Sequence, residues 1–162
     1  MPKTIEERIH EEKKYMLNKL IPELAVDSVD KRVFLGGTCN ESTWRDVLIP
    51  MLKIDYFNPV VDDWTEECMA EEIRQREICD YCLYTITPKM TGVYSIAEVV
   101  DDSNKRPRKT ILVILKADGD RVFSEGQWKS MHALAKMVSQ NQCAVFATLR
   151  DAANYLNESA AR

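Results

Sequence analysis

The sequence predicts an α/β domain, with five parallel strands covered by helices on both faces. Three observations predict it. From Val33 onward, short apolar runs alternate with segments of helical period, which is how a parallel sheet with crossover helices reads. The runs Tyr81–Ile86 and Thr110–Leu115 are apolar, the second β-branched as well. The first and third runs end in punctuation, at Gly36-Gly37 and at the stretch Thr91–Glu98 that opens a helix. In an open sheet of this kind the expected strand order is 2-1-3-4-5, the flavodoxin-like three-layer arrangement, and ligands bind where the order switches, between strands 1 and 3.

The first strand is Val33-Phe34-Leu35-Gly36-Gly37. Trp44, Val47, Leu48, Met51 and Leu52 then fall on one helical face. The second strand is expected over Asp55–Val61, with Pro59 near its end. A charged helix spans residues 66–79, with Met69 and Ile73 on its thin apolar side. The third strand is 81–86, and the helix carrying Glu98 runs to about Asp102. Lys105 to Lys109 reads as a basic loop containing Pro107. The fourth strand is 110–115. Trp128, Met131, Leu134, Ala135 and Val138 mark the next helix. Cys143–Ala147 is the fifth strand, and residues 148–159 form a closing helix. The switch-point loops are then 36–45 and 87–98, with a contribution from 59–66.

Residues 1–29 form an N-terminal helical extension outside a domain spanning 30–162. In it Ile5, Ile9, Met16 and Leu20 suggest an extra amphipathic helix ending near Pro22. The segment from Met1 to Lys14 is highly charged and lacks the apolar core of a signal peptide, so a cytoplasmic protein is expected. The composition, 45% hydrophobic and 30% charged, is that of a soluble globular chain. A net charge of −4 argues against a nucleic-acid partner. No apolar run approaches a membrane span.

Five cysteines, at 39, 68, 79, 82 and 143, read as reduced thiols. Cys79-Asp80-Tyr81-Cys82 has C-x-x-C spacing, but it ends a helix and enters a strand, and nothing nearby completes a metal site. His10 and His132, the two histidines, fall on predicted helices away from the strand ends, so neither a Ser-His-Asp triad nor a histidine-based metal site is expected. Gly36-Gly37-Thr38 does not match the dinucleotide fingerprint, and no P-loop pattern occurs. Neither a metal nor an organic cofactor is implied.

Carboxylates, hydroxyls and aromatics remain at the strand ends. Glu98 sits in the first turns of a helix at the carboxyl end of a strand, where the helix dipole favours the ionised form and an ionised carboxylate can act as a nucleophile. Gly36 and Gly37 permit close backbone approach. Thr38 and Asn40 supply hydrogen bonds. Trp44 and Trp64 have faces on which a base can stack, with Trp44 better explained as core and Trp64, after Asp62-Asp63, as the stacking candidate. Arg45 is the cation nearest the first loop, there to meet a phosphate or to be solvated.

Phe34-Leu35-Gly36-Gly37-Thr38, Asn58-Pro59, the acidic helix leading into Cys79-Asp80, and Gly92-Val93-Tyr94-Ser95-Ile96-Ala97-Glu98 occur in that order. The set resembles the nucleoside 2-deoxyribosyltransferase superfamily over roughly residues 32–150, closest to its deoxyribosyltransferase-like branch in bacteria and phages. The resemblance implies a flavodoxin-like fold and cleavage of an N-glycosidic bond, with Glu98 as nucleophile. It implies a second acid eight residues before Asp80, which is Glu72; the family usually has aspartate there, one methylene shorter. Glu71 is adjacent and competes for the role, and Glu72 with Arg76 has ion-pair spacing. Asp80 reads as structural. Transferases acting on free nucleosides carry an acid six residues before the nucleophile, where this chain has Gly92. With Thr91, Ser95 and Lys89 close by, a nucleoside 5′-monophosphate is favoured over a free nucleoside. The alternatives are an NAD or nucleotide-sugar glycohydrolase and a non-catalytic nucleotide-binding module. The resemblance leaves a homo-oligomer open.

Overall fold

A computed structural model describes residues 4–20, 31–39 and 41–161. The chain divides into two compact units, Met1–Lys31 and Arg32–Arg162. In the first, helix α1 spans Ile5–Leu20. Its start is closed reciprocally: the Glu7 amide donates to Thr4 Oγ1 (3.2 Å) and the Thr4 amide to Glu7 Oε2 (2.7 Å), satisfying two otherwise orphan donors. The expected end near Pro22 lies outside the described residues.

The second unit holds a five-stranded sheet in which every pairing is parallel: β1 (Arg32–Gly37), β2 (Asp55–Phe57), β3 (Tyr81–Ile86), β4 (Thr110–Ile114) and, after two short strands described below, β7 (Ala144–Phe146). The order is β2-β1-β3-β4-β7, the 2-1-3-4-5 arrangement counted along the parallel strands. Alternate residues feed opposite faces, as the two-residue period of a strand requires. Phe34, Cys82, Tyr84, Ile86 and Leu112 join one core with Val99 of α4 (Tyr94–Lys105) and Met131, Leu134 and Val138 of α5 (Glu125–Gln140). Val33, Leu35, Leu83, Ile111 and Val113 join the other with Trp44 and Leu48 of α2 (Trp44–Leu48) and Ala152, Ala153 and Leu156 of α6 (Leu149–Ala160). Helix α3 (Glu66–Ile78) precedes β3, and its buried Arg76 bonds to α4.

Asp80 is structural, as its position suggests: its amide donates to Arg32 O and its Oδ2 accepts from the Arg32 amide, pinning the start of β3 to β1. Cys79 caps α3 and Cys82 lies inside β3, both free thiols. Burial pushes Cys79 well up and Cys82 up to about 12, which suppresses thiolate chemistry.

Four expectations need correction. The second strand ends at Phe57 rather than Val61. Pro59 has no N–H to give a ladder, and Asn58 Oδ1 takes the Val60 amide instead, so 58–61 leave the sheet. The helix at 44–52 stops at Leu48 and tightens to a 3-10 turn over Ile49–Met51, with Pro50 inside it. Helix α4 continues past Asp102 to Lys105, and the basic loop contains a 3-10 turn at Pro107–Lys109. A small antiparallel hairpin, β5 (Ala117–Asp118) and β6 (Arg121–Val122), follows β4. Asp118 accepts from the Ser42 hydroxyl at 2.5 Å, fastening the hairpin to the loop after β1.

Candidate functional site

A cleft of ≈ 700 Å³ opens at the carboxyl ends of β1 and β3, where the strand order switches. Its size suits a small organic ligand. Gly36 and Gly37 form one wall, and neither tolerates a side chain. A Cβ on Gly36 would lie 2.6 Å from the Tyr84 ring, and one on Gly37, whose φ is +119°, would lie 2.1 Å from Thr85 O. These glycines therefore serve strand packing first and approach to a ligand second. The Thr38 amide donates to Thr85 O, and Thr38 Oγ1 accepts from the Thr87 amide, joining the two loops that flank the cleft.

Arg45 lines the cleft, but it is not solvated. It is buried, with Nε and Nη2 donating to Leu35 O and Nη1 to Thr38 O. Leu35 lies in β1 one residue past its last pairing with β2, at Phe34, and Thr38 just beyond the end of β1. Trp44, its neighbour at the start of α2, is also buried, with its indole donating to Thr38 O at 2.7 Å. It is core, and it does not line the cleft.

The opposite wall comes from the loop after β2 and from α3. Pro59, Val60, Val61, Asp62 and Trp64 line it. Trp64 is 53% exposed, and its indole favours the ionised form of Glu72. Glu72 lines the cleft, whereas Glu71 accepts from Arg74 and Gln75 on the helix flank. Burial raises the Glu72 pKa, with the Trp64 hydrogen bond and the charges of Arg76 and Arg45 acting against the rise. Neighbours in sequence point about 100° apart on a helix, which separates the two glutamates.

Met90, Thr91, Gly92, Tyr94, Ser95 and Glu98 complete the lining. No atom lies within 4 Å of a Cβ built on Gly92, so open space faces that position. Glu98 is 8% exposed, in the second turn of α4. The sequence argument that the helix dipole keeps it ionised needs correction. Desolvation dominates and pushes its pKa up to about 7; Glu72 and Asp102 add to the rise and Arg76 opposes it. Near neutral pH the carboxyl therefore exists in both forms.

Behind Glu98 lies a cluster that the sequence did not reveal. Arg76 Nε and Nη2 donate to the two oxygens of Asp102, at 3.1 and 2.8 Å, and Nη1 stands 3.7 Å from Glu98 Oε1. The Tyr84 hydroxyl donates to Asp102 Oδ2 at 2.5 Å, and Arg106 also donates to Asp102. Arg76 does not take the Glu72 partner that its spacing suggests. It reaches α4 instead.

Among the expected site residues, Gly36, Gly37, Thr38, Arg45, Asp62, Trp64, Glu72, Thr91, Gly92, Ser95 and Glu98 all line this cleft; Asn40 lies outside the described residues. Lys89 does not line it: its ammonium donates to Glu41 O at 3.1 Å and lies 3.9 Å from Asp118. Cys39, Val60 and Tyr94 also line it; they fall in the segments expected to contact a ligand, but no residue pattern singled them out within those segments. Among the described residues no group of three or more His, Cys, Asp or Glu is arranged to hold a metal ion, and no helix is long and apolar enough to cross a membrane.

A family model described as nucleoside 2-deoxyribosyltransferase like matches residues 30–117, just over half of the chain. The matched span contains β1 to β4 and every residue that lines the cleft. No curated protein and no solved structure matches the chain.

Proposed function

The chain belongs to the nucleoside 2-deoxyribosyltransferase-like family, and on that premise we propose that it cleaves or transfers at the N-glycosidic bond of a nucleoside or nucleoside 5′-monophosphate, with Glu98 as nucleophile. The observation that carries this reading is a pair of carboxyls in one cleft: Glu98 almost fully buried, and Glu72 on the facing helix.

Loss of the base leaves positive charge on the sugar ring. The Glu98 carboxylate stabilises that charge and captures C1′, with the bonding pair of the glycosidic bond leaving on the base. Glu72 supplies a proton to the departing base; its raised pKa suits a group that must be protonated at the start of the step. Water, or a second base, then attacks C1′ and releases Glu98, and the two displacements together retain configuration. Trp64 offers a face for the base, and its indole favours the carboxylate form of Glu72. Burial of Glu98 removes water that would otherwise shield its charge, so the anion acts on the developing cation at low dielectric.

The test is incubation with a panel of nucleosides and their monophosphates, with and without a second base, followed by chromatography of the released base. A 2-fluoro sugar substrate should leave an adduct that mass spectrometry locates on Glu98. Ligands that bind but return intact would identify a binding module instead, and an adduct on any other residue would displace Glu98 from its role.

A further inference from the structure

We infer that Arg76 is a positioning residue for Glu98, anchored by Asp102 and presenting one edge of its guanidinium to the Glu98 carboxylate without hydrogen-bonding it. The inference rests on the proposed role of Glu98.

The geometry divides one cation unequally between two carboxylates. Asp102 takes the two short bonds from Arg76, at 2.8 and 3.1 Å, and is fully buried. It also accepts from Tyr84 and Arg106. These donors hold its oxygens in place, and its forked contact with Arg76 fixes the guanidinium plane. Nη2 reaches on to Asp101 at 3.1 Å and to the Glu98 backbone carbonyl at 3.5 Å. The Nη1 edge is left toward Glu98 Oε1, at 3.7 Å. That separation gives electrostatic support to the anion while leaving its lone pairs unengaged by Arg76. A short bidentate pair with Glu98 would stabilise the carboxylate more and blunt it as a nucleophile. Asp102 thus serves to keep Arg76 from closing on Glu98.

Without Arg76 the surroundings of Glu98 turn against its charge. The groups that act on its charge are Glu72 and Arg76 from α3 and Asp102 from its own helix, and Cys39, Arg45, Asp62 and Tyr94 share the cleft with it. Arg45 is committed to Leu35 O and Thr38 O. Burial, Glu72 and Asp102 all favour the neutral acid, and only Arg76 among the causes of its shift opposes them.

The decisive measurement is the titration of the Glu98 carboxyl carbon in protein labelled with 13C-glutamate, assigned by its loss in Glu98→Gln. This readout needs no turnover. If the wild-type protein cleaves no nucleoside, the proposed function fails while the positioning inference is still tested. Arg76→Gln should raise the Glu98 midpoint by about one unit or more, and Arg76→Lys, which keeps the charge, should hold it within about half a unit. Asp102→Asn removes the anchor and should lower the midpoint by about half a unit or more. Shifts of opposite sign are not what a merely structural cluster would produce. An unmoved midpoint in folded Arg76→Gln overturns the inference. If that variant does not fold, Asp102→Asn decides: a midpoint that stays or rises overturns it.

Discussion

Thr38 Oγ1 accepts a 2.9 Å hydrogen bond from the Thr87 amide, and this bond joins the loop after β1 to the loop after β3 across the switch point. Both residues are buried, so the amide has no water to fall back on. Thr38→Val keeps the shape of the side chain and removes the acceptor. It should cost about 1–3 kcal/mol of stability, the usual penalty for an orphaned buried donor, together with activity, since the bond ties together the two loops that flank the cleft. Chemical denaturation of the two proteins checks the first part; a variant as stable as wild type would show that the loops are held by other means.

Glu98→Gln should lose at least ~100-fold in turnover while the fold is kept, because it exchanges a positioned anion for a neutral group of the same size. Near wild-type turnover would falsify the nucleophile assignment.

The pH dependence has a definite sign. Glu98 has a folded-state pKa raised to about 7, above that of an unfolded glutamate. Its contribution to stability is therefore fully present below the unfolded value and is lost as pH rises through about 7. Activity runs the other way, because the nucleophile is the anion, and kcat/KM should rise through an acid limb near pH 7. Glu98→Gln removes the buried charge, so its stability relative to wild type should increase between about pH 5 and pH 8, by on the order of 1–3 kcal/mol. Thermal melts at the two pH values measure this. A constant difference between the proteins would mean that Glu98 is not desolvated.

The sheet was readable because Tyr81–Ile86 and Thr110–Ile114 are buried on both faces, which leaves a continuous apolar run in the sequence. The hairpin at 117–122 was not. Its strands are two residues each, Ala117, Arg121 and Val122 are exposed, and Asp118 is held by side-chain bonds to Ser42 and Lys89 far away in the chain. The position of Glu98 followed from the junction of a strand with a helix. Glu72 was reached only through the spacing of a resemblance, and nothing local separates it from Glu71. Arg76 escaped because its partners lie 22–26 residues away on α4. Its local spacing suggested Glu72 instead. The burial of Arg45 was not legible because a cation next to a loop looks solvated, whereas the carbonyls of Leu35 in β1 and of Thr38 just after it take its guanidinium inward.

Trp64 performs two tasks that substitution can separate. Trp64→Ala removes the exposed ring and should raise KM about tenfold, as expected when base stacking worth ~1–3 kcal/mol is lost. Trp64→Phe keeps a ring but no N–H, and Glu72 loses the indole that now lowers its pKa. Its KM should stay within about threefold of wild type, while the alkaline limb of kcat, set by protonated Glu72, moves upward. Steady-state kinetics across pH distinguishes the two. A phenylalanine variant with the tryptophan-like limb would remove Glu72 from the role of acid.

The 5′ group of the substrate tests the mouth of the cleft. Lys89 and Arg45, the cations nearest to it in sequence, are occupied by Glu41 O with Asp118 and by Leu35 O with Thr38 O. Asp62, Glu72 and Glu98 bring acidic side chains to the lining. Any preference for a 5′-monophosphate must therefore come from the start of α4, where Thr91, Gly92 and Ser95 line the cleft and the first helical amides point outward. Gly92 brings no carboxylate to that point. One charge-assisted hydrogen bond contributes roughly 1.5–3 kcal/mol, so the monophosphate should exceed its nucleoside by about tenfold in kcat/KM, and Ser95→Ala should reduce that ratio without changing the rate on the nucleoside. Both substrates are assayed side by side at fixed salt. Equal rates, or faster turnover of the nucleoside, would show that the three carboxylates outweigh the helix amides and would make the free nucleoside the substrate.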